Sequence, residues 1–132
     1  MRLVLTALIF ASGLFFILFG LGFLLQPVET AATLGLAAAN PLGSATLRAD
    51  LLSFFGVAGI CMMWGAWKRS GDILLVPAIM MGLAIIGRLV SAATDGAFVG
   101  FYRPILVEAA IFILLMVARN LLPHHRVQDV GE

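Results

Sequence analysis

Four long apolar stretches separated by short polar clusters divide the chain. Residues 3–25 carry no charge, over a length that covers the roughly 30 Å of bilayer hydrocarbon at about 1.5 Å per helical residue. The apolar core of a signal peptide is only about 7–15 residues, whereas this run continues past Ala11-Ser12-Gly13, so it predicts a retained helix ending at Pro27 and Glu29. Ala7, Ala11, Gly13 and Gly20 are small enough to let another helix approach closely. Residues 28–37, with Val28, Ala31, Ala32, Leu34 and Leu36, predict a short interfacial helix that serves as a connector or, as the lesser reading, lids what lies beneath it, followed by a turn at Asn40-Pro41-Leu42-Gly43.

Ser44 is the predicted N-cap of a second span over about 46–67, which ends on the interfacial aromatics Trp64 and Trp67. Lys68-Arg69-Ser70-Gly71 then forms a tight basic turn. Asp72 is the predicted cap of the third span, about 73–94, whose Ala78/Gly82 and Gly87/Ser91 pairs supply small packing faces. The fourth span, about 104–122, follows a loop from Asp95-Gly96 to Arg103 that holds Phe101 and Tyr102 as interface anchors.

Span length decides where the charges lie. The uncharged run 73–87 covers only about 22 Å of helix, so the third span has to enclose Arg88. The run 109–118 covers about 15 Å, so the fourth has to enclose Glu108. Arg48 and Asp50 open the second span about 200° apart on a helix. Asp50 shares a stripe with Ser53, Val57, Cys61 and Trp64, the more polar side, and is expected to point inward while Arg48 reaches the headgroups. Asp50, Arg88 and Glu108 are placed at nearly one level in the outer third of the bilayer, with Asp95 and Arg103 closing the top. An unpaired charge at the membrane centre costs about 2.5–3.5 kcal/mol on insertion scales, which favours pairing, and Arg88–Glu108 is the expected pair.

Composition agrees with spans rather than a soluble domain: of 132 residues 62% are hydrophobic and 11% charged, with a mean hydropathy of +1.11. A net charge of +1 argues against nucleic acid as a partner. The single cysteine, Cys61, is read as a small packed residue. His124-His125 lacks further ligands at metal-binding spacing, and neither a metal nor a cofactor is expected. No His-rich metal set, Cys-x-x-Cys pair, glycine-rich phosphate loop or Ser/His/Asp arrangement points to an enzyme, and Glu108 and Asp50, which could act as acid and base, are more simply counter-ions of the arginines. Arg2, Lys68, Arg69, Arg119 and Arg126 fall on one side and only Arg103 and Arg48 on the other, so the positive-inside rule puts both termini in the cytoplasm. The expected fold is therefore all-α: one integral membrane domain, a four-helix bundle running up-down-up-down.

Leu47-Arg48-Ala49-Asp50, Gly56 and Gly59, Gly87-Arg88, Asp95-Gly96 and Glu108 together carry a resemblance. From the first helix to about Leu122 the chain resembles a bacterial family of small four-span proteins known as a domain of unknown function, number four-three-four-five. In architecture alone it is similar to the DoxX-like four-helix membrane proteins. The family resemblance implies a bacterial cytoplasmic-membrane protein whose typical polar positions are Arg48, Asp50, Arg88 and Glu108, and it implies no activity. The candidate site is thus Arg48, Asp50, Arg88, Glu108 and Asp95. One reading makes it an outward-facing site for a lipid-like or small anionic ligand, or a proton-linked path. The other makes it an ionic lock that fixes helix register, in a protein serving as accessory or assembly subunit of a larger complex. Membrane lipids are expected partners, with a homo-oligomer or larger membrane complex as further ones.

Overall fold

A computed structural model describes residues 2–97 and 99–123. Among them the chain is helical throughout, with no strand, and four helices are long and apolar enough to cross a membrane. This is a multi-pass membrane protein by length and composition.

The first helix, α1 (Arg2–Leu25), stops where Gln26 leaves helical geometry ahead of Pro27, which has no N–H to continue the ladder. Pro27 instead opens the short helix α2 (Pro27–Thr33). This helix ends earlier than hydropathy predicts, because Gly35 takes up φ +74°. The Leu36 N–H then reaches the Ala31 carbonyl at 2.9 Å and the Gly35 N–H the Ala32 carbonyl at 3.0 Å. That is the Schellman closure, which glycine favours because it has no Cβ to clash.

The second span begins before Ser44. Asn40 is the cap, its side-chain oxygen accepting from the Gly43 N–H at 2.9 Å, with Pro41 in the first helical position. From there α3 (Pro41–Thr46) passes through a π-helical turn at Leu47–Leu51 into α4 (Leu52–Lys68). Arg69, at φ 52°, closes α4, and the Gly71 N–H bonds the Pro123 carbonyl at 3.1 Å, tying this turn to the end of the last helix. The third long helix, α5 (Leu75–Thr94), starts two residues later than expected. Asp72 is not its N-cap: residues 71–74 form a turn, Leu74 occupies the cap position, and the Asp72 backbone carbonyl accepts from the Leu75 N–H. The last, α6 (Tyr102–Leu121), starts two residues early and takes Arg103 and Pro104 into its first turn, where proline costs no helix bond.

The helices pack as two close antiparallel pairs, α1 with α4 and α5 with α6. Gly13 and Gly59 bring α1 and α4 together backbone to backbone: a Cβ on Gly59 would stand 2.6 Å from the Gly13 carbonyl oxygen. Lipid offers no hydrophobic drive for helix association, so such close approach supplies the contact energy through van der Waals packing. Phe55 extends the seam, with ring centroids 5.5, 4.9 and 5.8 Å from Phe16, Phe19 and Phe23. On the other pair Gly82 faces Phe112.

The main core cluster is one-ended. Ile9, Phe16, Ala58, Met62, Ala66, Leu74, Ala78, Met81, Leu115, Ala118 and Leu122 cluster in the half nearest the Lys68-Arg69 turn. Among the described residues, α5 has none fully buried beyond Met81, and α6 none before Leu115. Phe23 and Ala31 are buried at the opposite end, but α5 and α6 are left open there, and the candidate site lies beside them.

Candidate functional site

Where the helices part, they leave a partly open cavity of about 550 Å³, within the size range of small-molecule sites. Its walls are mostly apolar: Phe15, Phe16 and Phe19 from α1, Phe54 and Phe55 from α4, Met81 and Ala84 from α5, Val107 and Ile111 from α6. Leu34 and Leu36, turned inward by the Gly35 closure, line it from the α2–α3 connector, and Leu51 from the π-turn. Three charged side chains share this space: Arg88, Arg103 and Glu108.

Arg88 and Glu108 come from facing positions of α5 and α6. The Arg88 Nε donates to Glu108 Oε1 at 2.8 Å and to Oε2 at 3.0 Å. The carboxylate is 14% exposed and the guanidinium side chain 41%. Because both carboxylate oxygens sit on Nε, the two Nη groups of Arg88 have no partner among the described residues. Arg103 folds its stem beside Gly100, where an added Cβ would stand 3.7 Å from Nε, and this glycine adopts φ +85°. Two arginines and one glutamate give the charged patch a formal net charge of +1.

The expected five-residue cluster is therefore only partly assembled. Arg88 and Glu108 meet as the span arithmetic predicts. Asp95 stands apart from them at the end of α5, accepting from the Ser91 hydroxyl at 2.9 Å. Asp50 does not point inward: it is exposed, as are Arg48, Ser53, Val57 and Trp64, and neither Asp50 nor Arg48 is paired among the described residues. The inward stripe of α4 is instead Ala58, Gly59, Met62, Gly65 and Ala66. In lipid the small residues mark the protein-facing side, whereas a polar residue near a helix end turns to the headgroups.

Three features escaped the sequence reading. Arg103 was expected to close the top of the cluster as a loop residue, yet it lines the cavity from the first turn of α6. The connector was favoured as a plain link over a lid, yet it supplies Leu34 and Leu36 to the cavity wall. The phenylalanine wall had a legible signal, Phe15, Phe16 and Phe19 on α1 with the Phe54-Phe55 pair on α4, but such a stripe is more often core than cavity. His124 and His125 lie outside the described residues, among which no group of three His, Cys, Asp or Glu side chains occurs.

The family model described as Domain of unknown function (DUF4345) matches residues 4–119, nearly the whole described chain and every charged residue of the cavity. The chain belongs to this family. No curated protein and no solved structure matches it, so the likeness to DoxX-like proteins has no support from these comparisons. Membership of the DUF4345 family brings no activity with it, and function has to be argued from the cavity.

Proposed function

We propose that this DUF4345 protein binds a lipid-like or small anionic amphiphile in the cavity and presents it to, or helps move it across, the bacterial inner membrane. One observation carries this reading: a phenylalanine-walled chamber of about 550 Å³ and the Arg88–Glu108 pair with Arg103 occupy the same space. An ionic lock needs only Arg88 and Glu108 in contact. It needs neither a chamber beside them nor a second arginine.

The orientation proposed with it is up-down-up-down with both termini in the cytoplasm. Its support is the gathering of Arg2, Lys68, Arg69 and Arg119 at the densely packed end, where the positive-inside rule places cytoplasmic loops. The cavity then lies in the outer half of the membrane, where outer-leaflet lipids are the source of ligand. The assembly-subunit reading rested on small-residue faces. Gly13, Gly20 and Gly59 are used inside the chain between α1 and α4, which removes that part of the support, while the Gly87/Ser91 face stays open.

The test is native mass spectrometry of the full chain released from mild detergent, compared with Ala84→Trp, which fills the chamber. The wild type is expected to retain a bound amphiphile and the variant to lose it while staying folded. A wild-type protein without adducts that also fails to take up any added amphiphile contradicts the proposal.

A further inference from the structure

Resting on that reading, we infer that the ligand is a single-chain amphiphile bearing one oxyanion, clamped between the Nη fork of Arg88 and the guanidinium of Arg103, with Glu108 as a positioning residue. Glu108 holds Arg88 by Nε alone, at 2.8 and 3.0 Å, so the paired Nη donors of the same guanidinium stay available. A guanidinium presents its donors as a planar fork that matches carboxylate or phosphate oxygens. Arg103 lines the same chamber with no partner of its own among the described residues. With Glu108 offsetting one of the two arginines, the patch is neutralised by a ligand of one negative charge.

The apolar end sets the rest of the ligand. Phe16 and Met81 line the cavity and belong to the packed core, so the chamber abuts that core. A cavity of about 550 Å³ suits one chain, since sites for whole small ligands span roughly 300–1,000 Å³. A fatty-acid carboxylate and a lysophospholipid with a phosphodiester head share this chemistry.

The experiment titrates the full chain, delipidated in neutral detergent, with palmitate, lysophosphatidylglycerol, hexadecanol and diacyl phosphatidylglycerol. Binding is followed by native mass spectrometry. Palmitate or lysophosphatidylglycerol is expected to bind at least about tenfold more tightly than hexadecanol, the ratio given by one charge-assisted hydrogen bond, and the two arms tell carboxylate from phosphate. Arg103→Gln should remove that advantage and leave hexadecanol unchanged. Glu108→Gln keeps an acceptor for Arg88 Nε and Glu108→Leu does not, so with charge held equal the leucine variant should bind the anion about tenfold more weakly. Hexadecanol binding as tightly as the anions, or Arg103→Gln affecting both alike, overturns the clamp while leaving the amphiphile site standing. Preference for the diacyl lipid overturns the single chain, equal binding by the two Glu108 variants overturns its positioning role, and no binding in any arm overturns the cavity reading itself.

Discussion

Arg88 on α5 donates its Nε to both oxygens of Glu108 on α6, and this bond spans the part of the bundle where the packed core has already ended. The pair therefore holds α5 to α6 beside a cavity, where apolar packing is thin. Reversing one charge should show it. Arg88→Glu or Glu108→Arg alone is expected to destabilise the protein by roughly 2 kcal/mol, below the 3–5 kcal/mol of a fully buried pair because Arg88 is half exposed. The double reversal should regain most of that loss in a thermal melt in detergent. Absence of any rescue would show that the two residues act separately.

Gly59 is the tightest point of the α1–α4 seam. Gly59→Ala puts a methyl 2.6 Å from the Gly13 carbonyl oxygen and should cost about 1–3 kcal/mol, the range for overpacking a close contact. Gly56→Ala, one turn earlier with nothing within 4 Å of the added Cβ, is the control. It should leave stability unchanged or raise it, because alanine favours the helix. Equal melting temperatures for the two variants would remove the close-approach account of the seam.

Arg48 and Asp50 face outward and pair with nothing among the described residues. Arg48→Gln and Asp50→Asn should each shift stability by no more than about 0.5 kcal/mol, as for surface substitutions elsewhere. A loss of several kcal/mol in a denaturation series would return Asp50 to the bundle interior.

Orientation is open to labelling. With Cys61 replaced by alanine, Ala97→Cys should react with an impermeant maleimide added outside intact cells, and Arg69→Cys only after the membrane is opened. The reverse pattern would turn the cavity towards the cytoplasm.

The spans were legible because hydrophobic length is a strong signal and the bilayer sets a hard minimum. That same minimum brought Arg88 and Glu108 inside from opposite directions along the chain. Helix ends were less legible. Asn40-Pro41 reads equally as a turn or as an N-cap with proline behind it, and Gly35 reads as one more small residue until its φ of +74° ends α2. Asp50 was misplaced by the expectation that the polar stripe of a membrane helix turns away from lipid into the bundle. In α4 that stripe faces outward, and what faces the protein is Ala58, Gly59 and Gly65. The cavity itself was out of reach. It arises because packing stops at Met81 and Leu115, a property of how helices splay rather than of any residue pattern.

The central claim is that the chamber beside Arg88 holds a ligand rather than collapsing into a dry lock. The most direct measurement is an experimental map of the full chain in native lipid nanodiscs, at a resolution that shows side chains. The account predicts elongated density lying against Phe16 and Phe55, with its end at Arg88 and Arg103. Helices closed on one another there, with Arg88 and Glu108 sealed from any cavity, would contradict it.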